Sequence, residues 1–468
     1  MDESVIEVDY LIKGTGAVGM AFADSILTHS NATMVMVDRH DRPGGHWNDA
    51  YPFVRLHQPS STYGTNSVQL GSGVKDSAGL NAGFYELASG HEVVSHFDSV
   101  MQHRLVPSGR VHYFPMSELG DDRIIRSRVS GRRVEVRATT LVDATHSKMN
   151  IPSTSPPAYR VAAGAACVPP NDLPRVADRY RRYVVIGGGK TGMDACIWLL
   201  SHGVEPDHIS WIVPRDSWIL NRANVQPGEE FFAQLCKSLA DQVEAVATAQ
   251  SIEGVFVALE ESGELRRIDP DVTPGAYHCA ILSDGELAEL RRISRIIRQG
   301  RVLAIDEQRI ELEHGTLSTG PDVLHVDCSA AGIPGRPAKP VFEDGIITLQ
   351  WVRTCQPTFS AAFIGFVEAT LDDEQEKNKL CVPIAPPTVP NDWLVMLQTD
   401  LRNRKNWAEN PQILSWLMAS RLDPFFKHAI TRLGTDSDAA THIGRYTEHV
   451  VGAAAKIEAL LNGASTIG

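Results

Sequence analysis

Residues 8–19, VDYLIKGTGAVG, decide how the chain is read. VDYLIK is a short apolar run of strand character, ending in Gly14-Thr15-Gly16-Ala17-Val18-Gly19. The following MAFADSIL carries apolar residues at helical spacing. A second apolar run, TMVMVD, closes on Asp38, nineteen residues beyond Gly19. Strand, glycine loop, helix, strand and acid, with ~20 residues from loop to acid, form a dinucleotide-binding βαβ unit. Gly14 permits the tight turn, Gly16 the close approach of a pyrophosphate, and Gly19 the packing of helix on strand. The helix N-terminus offers N–H groups and its positive dipole end to the anion, and Asp38 is placed to bind ribose hydroxyls. Lys13 ends the strand where an apolar residue is usual, as a surface lysine or a phosphate contact.

The same order returns at 183–192. YVVI runs into Gly187-Gly188-Gly189-Lys190-Thr191-Gly192, then MDACIWLLSHG reads as a helix and ISWIV as the next strand. Pro214-Arg215-Asp216 stands at its tip. An arginine there accepts the 2′-phosphate of NADP, whereas an acid favours the free hydroxyl of NAD. Asp216 opposes that reading, and a solvated loop arginine is the plain alternative. Each half closes with a β excursion and a small-residue turn, Asp143-Ala144-Thr145-His146 in the first and Ser329-Ala330-Ala331-Gly332 in the second. The layout is that of an internal duplication of a nucleotide-binding unit.

Composition narrows the class. The 468 residues are 43% apolar and 22% charged, ordinary for a globular chain of several domains. A net charge of −13 argues against a protein that mainly binds nucleic acid. The acidic opening MDESVIEVDY lacks a signal peptide's basic and apolar regions, and no run approaches the ~18 apolar residues of a membrane span. Seven dispersed cysteines, with no CxxC and no metal-ligand spacing, fit a reducing compartment. A cytoplasmic location with no metal site is expected.

Four segments in order resemble the class B flavoprotein monooxygenases, the group of flavin-containing, Baeyer–Villiger and N-hydroxylating enzymes. They are GTGAVG at 14–19, DRHDRPGGHW at 38–47, DATH at 143–146 and GGGKTG at 187–192. They organise roughly the first 220 residues. SAAGIPG extends the likeness to about 335, and the C-terminal third carries no matching motif. Two departures stand out. His146 replaces a glycine of the family's Ala-Thr-Gly, and the stretch before the second glycine loop lacks the family's FxGxxxH-type fingerprint.

The resemblance implies an α/β fold with two Rossmann-like domains and a helical C-terminal region. The FAD domain would be discontinuous, 1–165 and 333–385, with the NAD(P)H domain inserted at 175–332 and helices over 386–468. FAD would lie against Gly14, Thr15, Gly16, Ala17, Gly19, Asp38, Arg39, Gly45, His46, Trp47, Ala144 and Thr145. NADPH would lie against Gly187, Gly189, Lys190, Thr191, Gly192 and Arg215. The implied reaction inserts one oxygen atom from O2 into a small organic substrate through a C4a-(hydro)peroxyflavin. A reductase, an oxidase, a halogenase-like enzyme or a non-catalytic FAD-binding redox sensor are the alternatives.

Catalytic candidates come from RLHQPSSTYGTNS, 55–67, just after GGHWNDAYP. Arg55, His57, Gln58 and Ser60 could donate hydrogen bonds to flavin or its oxygen adduct, or else satisfy the backbone of a turn. His57 stands where the family often has Asp, and could move protons near neutral pH or serve as a structural histidine. WVRTCQPTFSAAFIGFVEA, 351–369, reads as apolar strands flanking a proline. Glu368 there is a candidate neighbour of the ribityl chain or a plain surface acid. DDEQEKNK, 372–379, reads as a solvated loop or helix face. After the linker APPTVP, helical periodicity carries Trp393, Trp407 and Trp416. That region packs on the FAD domain, forms a homodimer face, or covers the substrate site as a lid.

Overall fold

The computed structural model describes residues 4–147, 149–333 and 336–464. Met1–Glu3 of the acidic opening, Lys148, and Pro334-Gly335 of SAAGIPG lie outside the described residues. Four strands begin the first unit: β1 (Ser4–Lys13), β2 (Met34–Val37), β3 (Val111–Phe114) and β4 (Arg133–Asp143). They lie parallel in the order β3-β2-β1-β4, and the late strand Ile346–Thr348 joins β4 in parallel. The chain thus leaves this sheet and returns to it some two hundred residues later.

The second unit repeats the plan with β5 (Arg182–Ile186), β6 (Ile209–Ile212), β7 (Ala276–Leu282), β8 (Arg295–Ile297) and β9 (Val323–Asp327). Its parallel sheet runs β8-β6-β5-β9, with Cys167–Val168 beside β9. Arg160–Val161 pairs with Val302–Ile305 in a further sheet of this unit. Residues 160–161 are thus tied to a strand of the second unit. β7 stands apart, in a small sheet with Ser217–Asn221 and Leu265–Arg266.

Helices α1 (Ala17–His29), α2 (Gly90–Val100), α3 (Lys190–Ser201), α4 (Phe232–Thr248), α5 (Ile252–Glu261) and α6 (Pro357–Thr370) cover these sheets. α1 and α6 lie side by side and parallel. Ser25 Oγ donates to Ala362 O at 2.7 Å, and the His29 and Phe366 rings meet further along at 4.9 Å. α6 replaces the strands expected at 351–369. Ten of its fourteen residues are buried, so apolar residues occupy every side and no stripe reveals the helical period. Pro357 sits at the first helical position, where its missing N–H costs nothing. The charged run 372–379 becomes the short helix Glu374–Leu380, capped by Asp373, with its first turn exposed and Leu380 buried.

The C-terminal helices α7 (Pro390–Ala408), α8 (Pro411–Ala419) and α9 (Ser437–Ala464) divide their packing between the units. Trp407 and Trp416 join the first unit's core against Phe359 and Phe363 of α6. Trp393 and the buried face of α9 instead join Phe256 and Tyr277 of the second unit. Arg445 on α9 donates to Asp241 of α4 at 3.0 Å and is paired with Glu244. No helix among the described residues is long and apolar enough to cross a membrane.

Candidate functional site

The two glycine loops repeat one another atom by atom. Gly14 N–H donates to Val37 O, and Gly187 N–H to Ile212 O, both at 2.9 Å. Each turns at positive φ, +100° for Gly14 and +126° for Gly187, where a side chain would be strained. A Cβ on Gly19 would lie 2.1 Å from Gly14 O, and one on Gly192 would lie 2.1 Å from Gly187 O. Glycine is what lets α1 and α3 seat against their strands. The closing turns match too. Asp143 Oδ1 accepts from Thr145 N–H and Oγ1, while Asp327 Oδ1 accepts from Ser329 N–H and Oγ.

The loops differ at their open face. A Cβ on Gly189 would meet nothing within 4 Å, whereas one on Gly16 would lie 3.6 Å from Gly45 Cα. The Gly44–Gly45 turn leans on the first loop, and Gly44 N–H donates to Thr15 O at 2.9 Å. Both helix N-termini lack a side-chain cap, so their first N–H groups are available to an anion.

Asp38 sits at the tip of β2 as expected, 7% exposed, with both oxygens in use. Oδ2 accepts from Thr15 N–H at 2.6 Å and Thr15 Oγ1 at 3.1 Å. Oδ1 accepts from His40 N–H and contacts the His40 ring, each at 2.9 Å, and the ring's far nitrogen lies 2.9 Å from Asp49. Burial opposes the charged carboxylate, but these hydrogen bonds prevail and hold its pKa below the usual range. Sequence reasoning missed His40 and Asp49, which no spacing rule ties to Asp38. Arg39 is exposed, with its carbonyl accepting from Arg128 at 3.2 Å. Trp47 Nε1 donates to Tyr63 Oη at 3.0 Å, and His46 packs on Trp47. Burial pushes the His46 ring down to about 4 and keeps it neutral. A cavity of about 110 Å³ opens between Trp47, Tyr51 and the start of α2, below the ~300 Å³ of small-molecule pockets.

At the second loop the conflict between Arg215 and Asp216 resolves. Asp216 is buried and bound by Arg298 through two bonds of 2.8 and 3.0 Å. Arg215 is exposed beside the loop, where a Cβ on Gly188 would lie 3.0 Å from its carbonyl oxygen. Lys190 is paired with Asp194 one turn into α3.

The segment after GGHW joins the cradles. Tyr51 Oη donates to Asp194 Oδ2 at 2.7 Å, and the Phe53 and Trp198 rings are 5.5 Å apart. Ile281 N–H of β7 donates to His57 Nδ1 at 3.2 Å. Nδ1 is thereby an acceptor, and the proton of the neutral ring belongs on Nε2. Burial, with the cations Lys190 and Arg222 nearby, pushes His57 down to about 3. His57 is therefore no proton carrier near neutral pH, contrary to one expectation. Arg222 is fully buried, paired with Glu286 at 2.6 Å, with its Nε 3.4 Å from His57 O. Nothing in the local sequence marked it.

The other catalytic candidates separate. Ser60 is buried in a structural role: its Oγ donates to Glu86 O at 2.8 Å and accepts from Ala88 N–H at 2.7 Å. Arg55 is exposed, bridged to Ser89 and near Glu92 of α2. Gln58 lies partly buried beside His57. Glu368 accepts from Tyr10 at 2.9 Å and Lys377 at 2.7 Å, three turns along α6 from the loop edge. It is an ion-pair residue beneath the sheet. Nearer the edge, Thr65 Oγ1, Gln356 Oε1 and Thr358 Oγ1 are buried without a hydrogen-bond partner. The last two belong to the N-terminus of α6, which opens on the same side as that of α1. A polar ligand bound there would satisfy them.

No family model matches the chain. Solved structures similar to it are monooxygenases. Cyclohexanone monooxygenase from Rhodococcus sp. Phi1 bound to NADP+ has a TM-score of 0.48 and 14% identity, over 78% of this chain and 84% of that one. Oxidized steroid monooxygenase bound to NADP has a TM-score of 0.48 and 13% identity, over 78% and 85%. Curated relatives are far nearer in sequence. Uncharacterized protein Rv2000 of Mycobacterium tuberculosis (strain ATCC 25618 / H37Rv) is 48% identical over 419 residues, 89% of this chain and 78% of its own. Uncharacterized protein Mb2023 of Mycobacterium bovis matches to the same extent, 48% over 419 residues. The chain belongs to the family of these mycobacterial proteins.

Proposed function

We propose that the chain is an FAD-dependent, NADPH-consuming monooxygenase acting on a small organic molecule and O2. The observation that carries this reading is the pair of matched glycine cradles, bridged by one segment through Tyr51–Asp194 and Ile281–His57. Two such cradles sharing one interface suit the passage of electrons between two dinucleotides. Flavin, when bound, supplies the redox chemistry: it takes a hydride from nicotinamide and activates O2.

The chain's residues supply position and electrostatics. The first loop and the N-terminus of α1 hold a pyrophosphate, with Gly16 and Gly45 bare enough for close approach. Asp38 takes the ribose hydroxyls, exchanging part of its bonding to Thr15 and His40. Gln356 and Thr358 offer their unpartnered oxygens where α1 and α6 open together. The residues present fit FAD in this way. Gly189 and α3 hold the second pyrophosphate, and Arg215 pairs with a 2′-phosphate. His57 keeps its Nε2 proton and acts as a fixed neutral donor between the cradles. Tyr51, Phe53 and Trp198 form an apolar wall that excludes water.

The test is a visible spectrum of the purified protein, with FAD added if needed. Flavin absorbance should bleach anaerobically with NADPH in preference to NADH. On a panel of amines, sulfides and ketones, one labelled oxygen atom from O2 should enter a product. A protein that takes up no flavin overturns the reading. Quantitative hydrogen peroxide release with no oxygenated product assigns the chain to the oxidases instead.

A further inference from the structure

Cys279 and Cys355 are 76 residues apart in sequence and joined as a disulfide, with Cα atoms 6.2 Å apart. The other five cysteines are free, four of them buried. The dispersed spacing gave no reason to expect a pair. The bond joins the two units, since Cys279 lies on β7 of the second and Cys355 lies just before α6 of the first.

Local backbone aims both sulfurs at this junction. β7 pairs with Ser217–Asn221 as Trp218↔Tyr277 and Leu220↔Ile281, so the register slips across Cys279. Such a bulge redirects a side chain out of its sheet. Cys279 and Cys355 also have left-handed backbones, φ 54° and 53°, which are uncommon for non-glycine residues. Two residues past Cys279, Ile281 N–H holds His57 Nδ1 at 3.2 Å. Two residues before it, Tyr277 N–H donates to Thr388 O at 3.2 Å. The disulfide therefore fastens the strand that positions His57.

We propose that Cys355 and Cys279 form an oxidation site for hydroperoxides, and that their disulfide pins β7 against the first unit across the site. Cys355 is the partly exposed partner, and Cys279, 6% exposed, is the buried one. Cys355 also precedes Gln356, the N-cap of a fourteen-residue helix, where the positive dipole end favours thiolate. The Cys355 thiolate attacks one peroxide oxygen; the O–O bond breaks and the other oxygen leaves as water or an alcohol after taking a proton. The Cys279 sulfur then attacks the Cys355 sulfur; the S–O bond breaks and water leaves with the second proton. The two sulfurs lose two electrons and the peroxide gains them. A dithiol reverses the change by thiol–disulfide exchange.

The test uses the full chain. After hydrogen peroxide treatment, denaturation and alkylation should label five cysteines; after dithiothreitol they should label all seven. Non-reducing peptide mapping should recover the 279–355 crosslink. Seven labelled cysteines after peroxide, or a crosslink between other cysteines, overturns the site. Hydrogen exchange tests the pinning. In the oxidised protein the Ile281 amide should exchange about thirtyfold more slowly than in the reduced one, equivalent to ~2 kcal/mol, the low end of a disulfide's usual effect. Cys355→Ser should exchange at the reduced rate with or without peroxide. Equal Ile281 exchange in the two states of the unaltered protein overturns the pinning, whether or not the variant folds.

Discussion

Arg215 stands exposed at the tip of β6 because Arg298 has taken the carboxylate beside it. In sequence, Asp216 looked like a competitor for the same ribose. Its partner comes from 82 positions away, and adjacency could not reveal it. Replacing Arg215 by Ala should weaken NADPH by about 1.5–3 kcal/mol, the range for hydrogen bonds to a charged group. NADH affinity should change little. Titrations with both coenzymes check this, and an equal loss for both removes Arg215 from the 2′-phosphate site.

His57 shows a second residue-level limit, since its position was legible and its protonation was not. Half-buried beside two cations, it stays neutral down to about pH 3 in the folded chain. In the unfolded chain it takes a proton below about pH 6.5. The folded state then binds fewer protons, so this contribution is intact above about pH 6.5 and lost as pH falls toward 3. The loss runs at about 1.4 kcal/mol per pH unit. His57→Gln should therefore flatten the decline in urea midpoint between pH 6.5 and 4. An unchanged slope would mean that the ring is hydrated and protonates in place.

At the scale of elements, the glycine loops were readable because the turn, the helix start and the strand tip are all local. α6 was misread because an element buried all round carries no amphipathic period. The loops also allow a clean comparison. Gly192→Ala places a methyl 2.1 Å from Gly187 O, while Gly189→Ala meets nothing within 4 Å. The first should cost ~1–3 kcal/mol or more of stability through overpacking. The second should leave the unfolding midpoint nearly unchanged while weakening NADPH, whose phosphates need that space. Equal thermal shifts in the two variants would contradict the geometry.

For the molecule as a whole, the duplication was visible as a repeated order of motifs. The division of the C-terminal helices was not, because three tryptophans within helical segments do not say which core they enter. Arg353 and Asp423 form a salt bridge across that region, 3% and 0% exposed. Asp423→Ala leaves a buried guanidinium unpaired, and such losses cost about 3–5 kcal/mol. A large fall in the urea midpoint, with no equivalent fall for the exposed pair variant Asp172→Ala, is the expected result.

The helical tail is anchored twice, at Trp407 and Trp416 in one unit and along α9 in the other. Any swing of one unit on the other must therefore draw on slack in a strap already tight at both ends. Asn150 and Gly332 pair where the chain passes out of and back into the first unit, and the tail and the Cys279–Cys355 bond tie the units together beyond that crossing. Any motion between the units is then a short stroke, its amplitude limited by the two anchorages of the tail.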